Sequence, residues 1–206
     1  MPGLFEPAAT VPGGASVALD EVEISILRSL TVQLLELIGP GPGDETAGGA
    51  GQDPLAALMA DGPSEPPSDP ALARLFPDAY GGPGAASDER TRAASAEFRR
   101  YTENELRARK REDGLAVVRA LDELVSGSAD ETVGGAVLTL TPEQARQWLG
   151  ALNDLRLAIG ARLELADDKD GDELYALPDG DPRKPIAMAY LWLGALQESL
   201  VETLTP

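Results

Sequence analysis

The chain has 206 residues, with 35 Asp and Glu against 17 Lys and Arg, for a formal net charge of −18. It contains no cysteine and no histidine, which removes thiol nucleophiles, disulfides, Ser-His and Cys-His catalysis and nearly all zinc and haem ligation. So acidic a chain also disfavours generic binding to nucleic acid or to an anionic membrane.

The length suits one domain, residues 1–206, and an apolar fraction of 43% is enough for a core built mostly of Leu, Val, Ile and Ala. The opening MPGLFEPAATVPGG lacks the basic and apolar regions of a signal peptide. The longest apolar run, Ile186 to Leu196, is about 11 residues, short of the ~20 that a membrane span needs. The expectation is a cytoplasmic protein with no membrane contact.

In chain order, Leu4–Glu6 and Ala15–Leu19 read as two short strands joined through Pro12-Gly13-Gly14, a β-hairpin. Asp20, with Glu23 three residues on, forms a capping box for a helix. Val22, Ile26, Leu27, Leu30, Leu34, Leu37 and Ile38 recur in it at helical spacing, and Gly39 stops it. Residues 39–52 are a glycine-rich connector. Residues 53–80 form an arm with two short helices, each headed by Asp-Pro at Asp53-Pro54 and Asp69-Pro70. Leu72, Leu75, Phe76 and Tyr80 either pin this arm to the body or equip it to bind a partner.

Residues 87–125 hold no proline and one glycine, Gly114, and Ser87 or Asp88 can cap their start. As one helix they run roughly 57 Å at ~1.5 Å per residue, against a width of about 43 Å for a compact globule of this length. The helix therefore bends near Gly114, protrudes, or packs on a second copy, and a homodimer is one expectation. After it, Ala136–Leu140 reads as a strand paired with Ala15–Leu19. Thr141-Pro142-Glu143-Gln144 starts a helix reaching about Leu165 with Trp148, Leu152, Leu155, Ile159 and Leu163 inward. Asp181-Pro182 opens a last helix, apolar on most sides, and therefore central or interfacial. The fold class is mainly α: a single helical domain around a long central helix, with a small hairpin or short sheet on the N-terminal side.

The candidate contact surface lies on the long helix. From Arg90 to Arg111 there are eight bases and three acids. Arg100, Asn104, Arg107 and Arg111 share one face, roughly opposite Phe98, Leu106, Val117 and Leu124, while Arg99 and Lys110 fall toward the apolar side. Three readings stand side by side: a solvated helix self-paired through Asp88–Arg92, Glu103–Arg107 and Glu105–Arg109; a grip on an acidic protein surface or acidic loop; and a grip on nucleic acid, which is not favoured. The run Asn153-Asp154-Leu155-Arg156 suggests an internal polar network at a helix contact. The acidic loop at Asp167–Glu173 fails as a calcium site, because Ala166 and Leu177 fall where oxygen ligands are required. We find no phosphate-cradling glycine loop, nucleophile elbow or helix-turn-helix in the sequence, so no enzyme activity, metal or cofactor is expected.

Five blocks carry a family resemblance: LDEVEISILRSLTVQLLELIG (19–39), DPALARLFPDAY (69–80), EFRRYTENELRARKREDGLAVVRAL (97–121), QWLGALNDLRLAIGARL (147–163) and DPRKPIAMAYLWLGALQESLVETL (181–204). Together they resemble the actinobacterial oxidative-stress-responsive transcription regulators, the AosR-like family, catalogued earlier only as a domain of unknown function. The resemblance implies a regulator acting with a stress sigma factor on RNA polymerase, at genes of sulfur and cysteine metabolism. It also implies a gene neighbourhood shared with the N-end-rule protease adaptor, and hence a second reading as an accessory module in regulated proteolysis. The family's redox response is attributed to an internal disulfide, which a chain without cysteine cannot form. Partner binding is assigned to Arg99, Arg100, Asn104, Arg107, Lys110 and Arg111, and a structural polar network to Asn153, Asp154 and Arg156.

Overall fold

A computed structural model describes residues 3–40, 61–81, 88–127, 136–165 and 170–205. The glycine-rich connector beyond residue 40, the first Asp-Pro helix and most of the acidic loop lie outside the described residues. Among those described are three strands and six helices: β1 (Glu6–Pro7), β2 (Ala15–Leu19), α1 (Glu21–Ile38), α2 (Pro70–Leu75), α3 (Glu89–Gly127), β3 (Ala136–Leu140), α4 (Pro142–Arg162), α5 (Asp170–Tyr175) and α6 (Lys184–Leu204). The fold is mainly α around one long helix, as the sequence predicts.

The strands form one antiparallel sheet in the order β1-β2-β3. β2 pairs along its full length with β3, from Ala15 opposite Leu140 to Leu19 opposite Ala136. β1 is shorter than predicted and holds only Glu6 against Ser16 and Pro7 against Ala15; Pro7 has no N–H to extend the ladder and stays on the edge. The inward residues Ala15, Val17, Leu19, Leu138 and Leu140 are all buried, the period-2 pattern of a sheet covered on one face. Phe5 anchors the N-terminal end: its N–H donates to the Ser199 hydroxyl of α6 over 3.1 Å, and its ring meets Trp148 edge-on at 6.1 Å.

Both predicted capping boxes form. Asp20 accepts from the Glu23 N–H while the Glu23 carboxylate accepts from the Asp20 N–H, and Thr141 and Gln144 do the same for α4. Gly39 ends α1 at φ 80°, a conformation open to glycine at little cost. The buried face of α1 differs from the prediction. It consists of Ile24, Leu27, Thr31, Leu34 and Ile38, whereas Val22 is 64% and Ile26 41% exposed. A run apolar on several sides fits more than one helical phase. The capping box fixes where the helix starts, and the α1–α3 crossing decides which side is covered. Gly114 sits at that crossing, where an added Cβ would stand 3.0 Å from the Leu35 side chain.

α4 is the most enclosed helix. It packs on α1, α2, α3, α6 and β3 and buries Trp148, Leu152, Leu155 and Ile159, each such side chain contributing about 1.5–3 kcal/mol on removal from water. It ends at Arg162, earlier than predicted, as Glu164 turns left-handed at φ 58° and the Leu165 N–H reaches back to the Gly160 carbonyl. α6 starts at Lys184, two residues beyond Pro182. The Asp181 carboxylate is taken by the Arg183 N–H and guanidinium in the preceding turn, and Pro185 occupies the first helical turn. No helix among the described residues is long and apolar enough to cross a membrane.

Candidate functional site

α3 carries the concentration of charge that the sequence singles out, and the Asp88 carboxylate caps its start by accepting from the Thr91 N–H over 2.7 Å. The helix turns one continuous stripe inward: Ser95, Arg99, Glu103, then half-buried Arg107 and Lys110, then Gly114, Val117 and Leu121. Steps of three and four residues keep these positions on one face. The C-terminal half of the stripe is apolar, as predicted at Val117. The N-terminal half is charged: Arg99 and Lys110, which the sequence sets toward the apolar side, do turn inward, Arg99 being 5% and Glu103 3% exposed, whereas Phe98 is 47% exposed and Leu106 faces solvent, against the prediction.

Burying charge requires partners, and each of these has them, Glu103 on its own helix and Arg99, Arg107 and Lys110 on other elements as well. The Arg99 guanidinium donates to Glu103, to the Phe76 carbonyl (2.9 Å) and to the Asp78 carboxylate (2.9 Å). Burial by itself would lower the Arg99 pKa; its hydrogen bonds to Asp78 and Glu103 outweigh that and hold it above the ordinary value. Arg107 donates through Nε to Glu103 (2.9 Å) and through Nη1 to the Ile38 carbonyl (2.6 Å), and its guanidinium lies 4.3 Å over the Phe76 ring. Arg111 donates to the Gly39 carbonyl over 2.5 Å. α1 has no basic residue in its last turn, so Arg107 and Arg111 supply from another helix the cations that a helix C-terminus favours.

The remaining predicted contact residues hold the arm and α4. Arg100 donates to the Tyr101 hydroxyl and lies 4.7 Å over that ring, with the Asp61 carboxylate 3.8 Å away. Its carbonyl accepts from the Gly62 N–H over 2.8 Å, and Asn104 lies against Gly62. Lys110 donates to Asp154 of α4 over 2.5 Å. Asp154 is 2% exposed; burial pushes its carboxyl pKa up, and Lys110 pulls it only part of the way back. On the other side of α4, Arg156 donates to Gln197 (2.6 Å) and lies 5.1 Å over the Tyr190 ring, while Gln197 donates to Asn153 over 3.5 Å.

The six assigned contact residues are thus brought together as a set, and each of them makes contacts within the chain. The sequence names Glu103 as the i,i+4 partner of Arg107, a pair the structure contains, and singles out neither Asp78, which takes Arg99, nor Ser95. Ser95 accepts from the Tyr80 N–H and donates to its carbonyl, fastening the end of the arm. The one available signal was the four-residue spacing Ser95–Arg99–Glu103–Arg107, in phase with Val117 and Leu121. Chemically, the arrangement is a clamp of charge-assisted hydrogen bonds joining the arm, the end of α1 and α4 to the long helix.

The comparisons with known proteins agree along nearly the whole chain. Residues 5–204 match the family model described as "Domain of unknown function (DUF2017)". Proteins named "Oxidative stress regulator AosR" in Mycobacterium tuberculosis and Mycobacterium bovis are 31% identical over 186 residues, which cover 87% of this chain and 77% of theirs. A Mycobacterium leprae relative stands at the same identity and coverage. No solved structure matches the chain. With a match that begins at Phe5 and ends at Leu204, from the first strand to the last helix, the chain belongs to the DUF2017 family.

Proposed function

We propose that this protein is a non-enzymatic, transcription-associated regulator that works by binding a protein partner, a stress sigma factor with RNA polymerase, and does so without thiol-based redox sensing. The names of its mycobacterial relatives support a regulatory role, and the absence of cysteine leaves no thiol to oxidise. The observation that carries the contact surface is on α3. Beside the clamp, the helix presents Phe98, Tyr101 (61% exposed) and Leu106 to solvent, with Arg100 folded over the Tyr101 ring. Aromatic side chains and arginine are the residue types enriched at protein interfaces. Arg100 keeps 41% of its side chain exposed, against 4% for Arg99, 20% for Arg107 and 14% for Lys110.

Affinity purification of the tagged full chain from an actinobacterial host tests this. The wild type should recover RNA polymerase with a sigma factor, less so as salt rises, and Arg100→Glu/Tyr101→Ala should lower recovery about tenfold or more, a hot-spot-sized loss. Undiminished recovery by the double variant overturns the surface. Recovery of a protease adaptor without polymerase overturns the function in favour of an accessory role in regulated proteolysis.

A further inference from the structure

A cleft of about 620 Å³ opens over the outer face of α6. Gly194 and Ala195 line it together with the apolar Leu191 and Val201 of α6 and Tyr175 of α5. Val201 and Tyr175 are exposed, so the apolar lining is left in water. Arg156 of α4 lies across Gly194, 3.5 Å from where a Cβ would stand, with its charge engaged by Gln197 and Tyr190. Glu198 and Glu202 also line the cleft.

Those two glutamates are placed against their own electrostatics. They are like charges at i and i+4, which repel. Glu202 also stands in the last turn of a helix that has no basic residue there, where the dipole favours cations. Among the described residues neither pairs with a cation. A second copy of this chain would set the same carboxylates against each other and join two chains of charge −18. A cationic partner would relieve both conflicts.

We propose that this cleft docks a basic amphipathic segment of a protein partner. An apolar side chain of the segment enters between Leu191, Ala195, Val201 and Tyr175, and a Lys or Arg beside it pairs with Glu198 and Glu202, the helix-in-groove mode of recognition. The inference rests on the reading of the protein as a partner-binding regulator, and it adds a second surface, separate from α3, with the opposite charge preference.

The probe is a fluorescein-labelled amphipathic helical peptide of Leu and Lys, roughly 18 residues long so as to span five turns, titrated against the full chain by anisotropy. A peptide of the same pattern with Glu in place of Lys is the control. The Lys peptide should bind, and Glu198→Lys/Glu202→Lys should weaken it about tenfold or more, in line with losing paired interfacial charges. The same charge change made on α3, Glu105→Lys/Glu112→Lys, should weaken it by no more than the general loss of attraction, about twofold. Ala195→Trp, which fills the cleft at unchanged charge, should also abolish binding. The α6 charge variant should melt at or above the wild-type temperature, because it removes a repulsion, so its loss of binding will not be loss of fold. Equal weakening by the α3 and α6 variants, undiminished binding by Ala195→Trp, or equal binding of the Glu peptide overturns the cleft as a docking site. A wild type that recovers polymerase while binding no Lys peptide overturns the cleft and leaves the proposed function standing. A wild type that binds the peptide at the cleft but recovers no polymerase keeps the cleft and overturns the function.

Discussion

Lys110 of α3 and Asp154 of α4 form an ion pair, Nζ to Oδ1 2.5 Å, with only 14% and 3% of their side chains exposed. The pair joins the longest helix to the most enclosed one, in a place where each charge is tolerated only because the other is there. Lys110→Met alone should destabilise the protein by about 3–5 kcal/mol at neutral pH, since it strands a buried carboxylate. The loss should shrink on acidification, as Asp154 takes up a proton and the stranded charge disappears. Lys110→Met/Asp154→Leu, which replaces both with apolar groups, should return to within about 1 kcal/mol of the wild type or exceed it. Urea unfolding of the four members of the cycle measures this, and simple additivity of the two single losses would contradict it.

Asp113 stands next to this pair, its carboxylate over Gly150, where a Cβ would come within 2.7 Å of Oδ2. Burial raises its pKa; Arg109 and Lys110 oppose the rise, and Asp154 and Glu112 add to it. A carboxyl whose folded pKa is raised contributes most below its unfolded pKa, and that contribution is lost as pH rises through the folded value. At neutral pH the ionised Asp113 therefore costs stability, and Asp113→Asn should raise the melting temperature by an amount worth less than about 1 kcal/mol after solvent screening. The gain should fade as pH falls through the raised folded pKa and be gone below about 4, where the unfolded chain is protonated too. Melting curves of both proteins across that range decide it; a gain that grows on acidification would show the opposite linkage.

Arg107 reaches Glu103, the Ile38 carbonyl and the Phe76 ring at once, which a planar fork can do and a point charge cannot. Arg107→Lys keeps the charge, yet should cost about 1–2 kcal/mol, the size of a lost charged hydrogen bond. It should also speed amide exchange in the last turn of α1, whose carbonyls lose a donor. Unchanged stability and exchange would mean that charge alone matters there.

Asp69 caps α2 by accepting from the Ala71 and Leu72 N–H groups (2.8 and 3.1 Å) and pairs with Arg162 over 3.1 Å. Asp69→Ala should cost about 1 kcal/mol, a typical cap loss, and should loosen the arm before it loosens the core. Trypsin cleavage after the exposed Arg74 should therefore accelerate under native conditions more than the melting temperature falls. Equal cleavage rates would mean that Arg99, Arg107 and Ser95 hold the arm without help from the cap.

What could be read from the sequence was local. Asp20 with Glu23, Thr141 with Gln144, and Asp69 before Pro70 announce helix starts because the groups that satisfy each other lie within three residues. The pairing of Ala15–Leu19 with Ala136–Leu140 was legible because both are short β-branched or apolar runs bounded by turn residues. On α6, Pro182 drew the predicted start two residues early, since nothing in the sequence revealed that Asp181 spends its carboxylate on Arg183.

The candidate site was legible in composition and illegible in direction. The sequence by itself determined that a long, proline-free, locally basic helix exists and that it carries Arg99, Arg107 and Lys110 in a fixed order around its axis. Which side of that helix faces inward was decided only by tertiary structure. Charged residues read as solvated because an isolated buried charge is prohibitive. Arg99 and Lys110 become tolerable inside once Asp78 and the Phe76 carbonyl arrive from 21 and 23 residues away and Asp154 from 44, partners that no helical period can announce.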